Sequence, residues 1–296
     1  MRILAASGFL ICAAGMTACS INVDTQGFIE REEKRFTVEG VAELTLYTFD
    51  GSVEVRGWDR PDVVVEIEKR AEDKEAVDKI TVLSEQTGRK IQVDVQYSGN
   101  RRFVGIGRFT SPSARLIVNA PRKVNLAIRT GDGTVVVERL EGTLQLRSAD
   151  GNIRATETAG DLLVESGDGS LTIEDVSGRV EARTNDGTIR ITGVPAAVRA
   201  RSGDGSVVLR IRRGAVMTED WMVATSDGSI SAELPDDFNG MIDAEPGADS
   251  RARSDLEMTE MVGGTREQRS LRGRLGTGGK TFTLRTGDGS IRLTQY

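Results

Sequence analysis

Apolar and polar residues alternate along most of this chain, in short runs separated by glycines. The pattern is most regular between positions 130 and 214, where Asp-Gly pairs recur with a constant 18-residue step. The pairs are Asp132-Gly133, Asp150-Gly151, Asp168-Gly169, Asp186-Gly187 and Asp204-Gly205. Glycines also follow a nine-residue grid, which Ala196 interrupts. Each 18-residue unit is therefore predicted to hold two short strands and two turns.

The second and fourth residues after each grid position are apolar and are predicted to face the core. The second positions are Val135, Leu144, Ile153, Leu162, Leu171, Val180, Ile189, Val198, Val207 and Val216. The fourth positions are Val137, Leu146, Ala155, Val164, Ile173, Ala182, Ile191, Ala200 and Leu209. One coil cannot bury such a face alone, whereas coils stacked about 4.8 Å apart share one thin core. The predicted fold class is all-β, a single-chain β-solenoid of 18-residue two-strand coils.

Glycine is expected at the turns because it tolerates positive φ, and Asp can hydrogen-bond its own turn. The residues after the Asp-Gly pairs are predicted to form an outward ladder. They are Thr134, Asn152, Ser170, Thr188 and Ser206. The opposite sheet is predicted to present Arg147, Glu165, Arg183 and Arg201, whose mostly alternating charges suit neighbouring coils.

The coils at both ends are predicted to be irregular. Strand-like runs occur at 43–49, 52–56, 63–67 and 90–95, and residues 71–79 form one short polar helix pattern that would cover an end or a side. Beyond Gly214, a 23-residue step leads from Asp204 to Asp227-Gly228, and a 61-residue step leads on to Asp288-Gly289. The predicted solenoid domain therefore spans 37–296, with regular repeats at about 130–214.

The N-terminus has the pattern of a bacterial lipoprotein signal. Residues 1–18 combine Arg2, an apolar stretch too short to span a bilayer, and Met16-Thr17-Ala18 before Cys19, which resembles a lipobox. Cys19 is the predicted lipidation site, and two acyl chains would give stable anchoring. By resemblance to lipoprotein sorting signals, Ser20 after the cysteine does not look like an inner-membrane retention signal, which favours the outer membrane. Residues 19–36 are predicted to be a polar tether. An ordinary secretory signal cleaved near Ala18 is the alternative.

Composition narrows the chemistry further. The formal net charge is −6 without a long basic run, which argues against a nucleic-acid partner, and the chain has no histidine. Calcium-binding β-rolls require Asp where this repeat has core Val, Leu or Ile, although the Asp column could attract cations weakly. The loop 276–281 is similar to a phosphate loop, but Arg274 stands where that motif needs glycine and a strand is expected to follow.

Four ordered motifs carry a family resemblance, namely Phe49 to Trp58, Val118 to Pro121, Arg129-Thr130-Gly131-Asp132-Gly133 with its successors, and Leu284 to Ile291. Together they resemble the bacterial adhesin-type family known as DUF4097. The resemblance covers nearly all of 37–296. The family implies a β-solenoid that acts as an adhesin, and it supplies no catalytic residues to transfer.

The predicted function is that of a non-enzymatic, lipid-anchored envelope protein that acts as an adhesin or a macromolecule-binding scaffold. Its partners would be the membrane, through the acyl chains, and an unidentified protein or glycan in the envelope or at the cell surface. No catalytic, cofactor or metal residue is predicted. The alternatives are a glycan-active β-helix enzyme, which needs a groove with two carboxylates, and a purely structural envelope element.

Overall fold

A computed structural model describes residues 19–24, 27–99, 111–263 and 269–296. These residues form strands joined by turns, with a short helix α1 at Lys74–Asp78. The strands of the first half are β1 Cys19–Asp24, β2 Gly27–Thr37, β3 Ala42–Thr48, β4 Val53–Trp58, β5 Asp62–Ala71, β6 Ile80–Thr87, β7 Lys90–Tyr97, β8 Ser113–Pro121, β9 Val124–Thr130, β10 Val135–Ser148 and β11 Ile153–Glu165. Those of the second half are β12 Leu171–Thr184, β13 Ile189–Ser202, β14 Val207–Ile211, β15 Trp221–Thr225, β16 Ile230–Leu234, β17 Gly240–Glu245, β18 Ala252–Ser254, β19 Thr259–Gly263, β20 Leu271–Leu275, β21 Thr281–Thr286 and β22 Ile291–Gln295.

Each regular coil contributes one strand segment to each of two facing sheets. The first halves of β10 to β13 pair in parallel in the sheet that we call sheet 1, and their second halves pair in parallel in sheet 2. Sheet 1 runs in the spatial order β1-β2-β5-β8-β4-β10-β11-β12-β13-β14-β16-β22-β18. Sheet 2 runs β6-β7-β3-β9-β10-β11-β12-β13-β15-β21-β17-β20-β19. The predicted all-β solenoid is confirmed.

The core lies between the two sheets and follows the predicted alternation. Ile173 and Ile191 are fully buried and lie side by side in neighbouring coils. Val216 is an exception, because its side chain is 70% exposed. The prediction that Val216 faces inward is therefore wrong. The reason is that residues 212–220 make the coil between β14 and β15 longer than the regular repeat unit, so Trp221 takes the inward position and is fully buried.

The Asp-Gly glycines are needed for close approach between coils. A Cβ added at Gly187 would lie 2.1 Å from the carbonyl oxygen of Gly169 in the preceding coil. Its φ is outside the left-handed region, so the expectation that these glycines serve positive φ is wrong for Gly187. Positive φ is found instead at the half-step glycines such as Gly160, at 105°, where the coil also touches the one before it.

The second predicted turn of each coil is a corner inside one long strand. At this corner the chain passes from sheet 1 to sheet 2 through a left-handed residue, which is Arg139 (φ 57°), Glu157 (φ 52°) or Asp175 (φ 54°). A non-glycine residue in this conformation costs about 1–2 kcal/mol. The stack tolerates that cost because strand pairing on both sides of the corner fixes the backbone.

A column of buried hydroxyl groups supports the Asp-Gly turns. The hydroxyl of Thr184 accepts a hydrogen bond from the backbone N–H of Gly187 (3.3 Å) and lies 3.0 Å from the carbonyl oxygen of Gly169, to which it can donate. Equivalent residues repeat this role in other coils. They are Thr130, Ser148, Ser166, Ser202, Thr225 and Thr286. Each turn is therefore tied to its neighbour by a satisfied buried polar group.

Thr158 provides the opposite case, because its buried hydroxyl has no hydrogen-bond partner among the described residues. We expect Thr158→Val to raise the free energy of unfolding by about 1 kcal/mol, because it removes an unsatisfied polar group without changing the shape. The same replacement at Thr184 should lower it by about 1–3 kcal/mol, because the N–H of Gly187 loses its acceptor. Urea denaturation of the two variants would compare them directly. Equal effects at both sites would contradict the distinction.

The chain doubles back at both ends of the stack. At the C-terminal end, β21 and β22 are last in sequence but pair with β15 and β16 on one side and with β17 and β18 on the other. This insertion explains the 61-residue step, because Gly289 packs directly on Gly228. At the N-terminal end, β7 and β8 form a coil outside β3 and β4, although they follow them in the chain.

A charged network holds the C-terminal strands together. The Asp243 carboxylate on β17 accepts hydrogen bonds from Arg272 on β20 (2.8 Å) and Arg285 on β21 (2.6 Å). Both arginines also pair with Glu245. Burial acts to raise the pKa of Asp243, but the guanidinium groups of Arg285 and Arg272 outweigh burial and hold this pKa below its usual 3.8.

This network predicts a pH-dependent contribution to stability. Because the folded-state pKa of Asp243 is depressed, its contribution is complete above the unfolded pKa near 3.8 and disappears as pH falls through the folded value. We expect Asp243→Asn to lower the free energy of unfolding by roughly 1–2 kcal/mol at pH 7. The difference from wild type should shrink as denaturation is repeated from pH 5 to pH 2. A difference that is constant with pH would argue against this role.

The predicted tether over 19–36 is wrong, because residues 19–24 form β1 and pair with β2. Residues 27–37 form β2, which pairs with β5 over residues 28–37. The strand lacks an apolar period because its partners are charged, as in the ion pairs Arg31–Glu68 (2.7 Å) and Arg35–Asp62 (2.7 Å).

The predicted helix over 71–79 is present as the shorter α1, whose Val77 is buried against β2, β5 and β6.

Candidate anchor and binding faces

The candidate lipidation site lies at the outer end of sheet 1. Cys19 is the first residue of β1, and its backbone pairs with that of Glu32 in β2. The predicted signal peptide, residues 1–18, lies outside the described residues. Among the helices of the described part, none has the length and apolar character needed to cross a membrane.

The strands next to Cys19 are joined by ion pairs. Lys69 on β5 lies 3.2 Å from a carboxylate oxygen of Glu30 and 3.2 Å from one of Glu32, both on β2. Burial acts to lower the pKa of Lys69, but Glu32 and Glu30 outweigh it and hold the pKa above 10.5. The lysine therefore stays charged and links β2 to β5 at the position where β1 joins the sheet.

The outer face of sheet 2 is rich in arginine. Its predicted charge ladder is confirmed in part, because Glu165 pairs with Arg147 (2.6 Å) and with Arg183 (3.1 Å) in the neighbouring coils. Arg199 and Arg201 on β13 have no ion-pair partner within 4.0 Å in the described residues. Their lateral neighbours on β15 are Met222, which is 46% exposed, and Ala224, and those on β12 are Glu181 and Arg183, which pair with each other. This part of sheet 2 combines unpaired cations with an exposed apolar side chain.

The outer face of sheet 1 is more evenly charged. Away from the corners, it carries three arginines and three glutamates in outward positions between β10 and β16, whereas sheet 2 between β9 and β15 carries five arginines and two glutamates. Ion pairs on sheet 1 include Arg154–Glu174 (2.9 Å) and Arg210–Glu233 (3.2 Å). The two broad faces of the solenoid therefore differ in charge, and sheet 2 is the more attractive to anions.

The edge formed by the Asp-Gly turns is acidic. The exposed aspartates lie in consecutive coils, as the stacking of their glycines shows. They are Asp132, Asp150, Asp168, Asp186, Asp204, Asp227 and Asp288. Beside them lies the predicted outward ladder, in which the N–H of Ser170 donates to the side chain of Asn152. The described residues hold no group of three or more His, Cys, Asp or Glu side chains arranged to bind a metal ion.

A shallow depression near the N-terminal end of sheet 2 contains two carboxylates. Glu43 and Glu85 line it together with Lys90, and Glu43 pairs with Arg89 (3.4 Å). The depression is open to solvent and Glu85 is exposed.

The loop 276–281 that is similar to a phosphate loop is followed by the strand β21, as the sequence predicts.

Sequence reasoning missed two groups of residues. The hydroxyl column could have been found, because a Ser or Thr stands two residues before the Asp of each of these Asp-Gly pairs. The pair Arg199 and Arg201 could not have been found from the sequence. Alternation predicts that both side chains face outward, but it does not show which arginines pair with a carboxylate in the next coil. Only the lateral register shows that Met222 and Ala224 lie beside them.

Comparison with solved structures finds distant likenesses. A "putative cell adhesion protein" from Clostridium sporogenes is 13% identical, with 90% of this chain and 100% of that chain covered and a TM-score of 0.29. A "putative adhesin" from Bacteroides fragilis is 13% identical over 90% and 97% of the two chains, with a TM-score of 0.42. A "putative lipid binding protein" from Parabacteroides distasonis is 10% identical over 90% and 96%, with a TM-score of 0.32.

The comparison with curated proteins finds no match. The family described as Toastrack DUF4097 matches residues 41–294, from the residue before β3 to the end part of β22. This match covers the stacked coils, the inserted strands at both ends and the Asp-Gly edge. The chain therefore belongs to the Toastrack DUF4097 family.

Proposed function

We propose that this protein is a non-enzymatic, lipid-anchored protein of the bacterial cell envelope, attached through Cys19, that binds a macromolecule on the outer face of sheet 2. The carrying observation is the unequal charge of the two faces, with Arg199 and Arg201 unpaired beside the exposed Met222. Arginine and methionine are enriched in protein interfaces, and arginine binds carboxylate and phosphate groups well. The partner that this face fits is an anionic envelope or surface macromolecule, with an acidic glycan as the first probe.

The anchor is tested by comparing wild type with Cys19→Ala. We expect wild type to fractionate with membranes, the outer membrane in particular, and Cys19→Ala to become soluble. Intact mass measurement should show the acyl groups on wild type alone. If Cys19→Ala fractionates like wild type, the lipoprotein assignment is wrong. Protease treatment of whole cells then separates surface exposure, which favours adhesion, from a periplasmic position.

The binding face is tested by charge reversal on β13. We expect Arg199→Glu with Arg201→Glu to weaken binding to acidic glycans prepared from the envelope by at least about tenfold, because two cations become anions. The matched control is Arg190→Glu on the sheet 1 half of the same strand, where the arginine is also exposed and without an ion-pair partner in the described chain. Binding that falls equally in both variants, or in neither, would rule out sheet 2 as the binding face.

A further inference from the structure

The position of Cys19 determines which end of the solenoid is nearest to the membrane. At the N-terminal end, sheet 1 extends two strands beyond sheet 2, because β2 and β1 follow β5 whereas sheet 2 stops at β6. Helix α1 packs against β2, β5 and β6 below this extension. Since β1 is the last strand of sheet 1 at this end among the described residues, Cys19 lies at the end of the described stack.

Little free chain separates Cys19 from the folded domain. Residues 19–24 pair with residues 27–32 of β2, and β2 pairs with β5 over ten residue positions. The ion pairs of Lys69 and Arg31 add side-chain links between β2 and β5. A lipid group on Cys19 would therefore pull on the end of the sheet itself, with no long tether that lets the domain turn over.

Distances along the stack are large compared with that attachment. Neighbouring strands are about 4.8 Å apart. At this spacing, the nine steps from β1 to β14 amount to about 43 Å, and β18 lies three steps farther on. Strand β6 is only two steps above the level of β1, about 10 Å. The outer edges of β1 and β6 are the ends of their sheets in the described residues. Contact with a membrane would cover these edges and so protect them from pairing with another chain.

We infer that the N-terminal end of the solenoid, formed by β1, β2, α1 and β6, rests on the lipid headgroups and that the stack axis stands along the membrane normal. This inference depends on the proposed acylation of Cys19. In this orientation both sheets project away from the bilayer, and the arginines of β13 lie tens of ångströms above it. The partner-binding face is then open along its length, and the acidic turn edge does not face the membrane.

The test measures the height of single labels above vesicles that carry the acylated full-length protein. Cys12 and Cys19 are the two cysteines of the sequence, so the signal-cleaved chain has no free thiol once Cys19 is acylated. A fluorophore is placed at Leu83→Cys on β6, Asp204→Cys before β14 or Arg253→Cys on β18. Energy transfer to an acceptor on the headgroups of phosphatidylethanolamine and phosphatidylglycerol vesicles should be highest at residue 83, lower at 204 and lowest at 253.

A second pair of labels distinguishes standing from lying. Thr172 on β12 and Leu163 on β11 face outward only half a coil apart, on sheet 1 and sheet 2 respectively. Equal transfer at the two sites is expected for a standing stack. Equal transfer at 83, 204 and 253, or a clear difference between 172 and 163, would overturn the orientation while leaving the anchor intact. Intact mass without acyl groups would instead reject the anchor and the orientation together.

Discussion

Replacement of Ile173 by Asp is expected to destabilise the solenoid by about 4 kcal/mol or more, because it places an unpaired carboxylate in the core. Ile173 is fully buried, and its neighbours in the adjacent coils are Ala155 and Ile191. None of these side chains can offer a hydrogen bond to a carboxylate. In a stack whose coils contact only their neighbours, the damage should spread to the coils on either side.

Urea denaturation followed by far-UV circular dichroism would measure the loss, and hydrogen exchange would locate it. The expected pattern is loss of backbone protection in β11, β12 and β13 before β3 and β7 at the N-terminal end. A matched control is Thr172→Asp, one residue away on the outer surface of the same strand. There the new carboxylate would lie between Arg154 and Arg190, so stability should be unchanged or slightly higher. If both variants melt alike, the inward register of β12 is wrong.

Gly187→Ala is expected to be almost as damaging, and it tests why the Asp-Gly turns contain glycine. The new methyl group would lie 2.1 Å from the carbonyl oxygen of Gly169, so two coils must move apart. The oxygen belongs to the backbone and cannot turn aside as a flexible side chain could. We expect a loss of about 3 kcal/mol, at the upper end of the usual cost of overpacking.

Gly214→Ala separates this effect from backbone conformation. Gly214 has a φ of 83°, in the left-handed region, but a Cβ there would meet nothing within 4 Å. It should therefore cost only the conformational penalty of about 1–2 kcal/mol. Both variants can be compared by urea denaturation at one pH. A larger loss at Gly214 than at Gly187 would show that turn conformation, rather than contact between coils, selects glycine in the repeat.

The proposed orientation leaves the proposed binding face accessible to a partner. An acylated Cys19 at the end of sheet 1 would leave the outer face of sheet 2 clear of the bilayer, whereas a solenoid lying flat could cover one broad face. The unpaired Arg199 and Arg201 lie on β13, well above the membrane-proximal strands. A protein built in this way would present a tall, regular surface to a partner while occupying a small area of membrane.

The repeat pattern is sufficient to predict the structure of one coil. The 18-residue step and the alternation around Ile173 and Ile191 fix the side-chain direction and the register between neighbouring coils, because the side-chain period of a strand is two. The position of the stacked turns follows from the same step. At the irregular end the 18-residue step is lost, but Gly289 still stacks on Gly228, 61 residues before it.

The positions of the irregular strands could not be predicted from the repeat pattern. The pairing of Ile230 with Ile291, and of β2 with β5, depends on which sheet edge is open when the chain returns, and local alternation carries no information about that choice. Contact between backbones, rather than φ, explains Gly187, and it exists only once two coils are stacked. The place of Cys19 at the end of sheet 1 is likewise a consequence of strand pairing, since its neighbours in sequence are polar residues without a clear period.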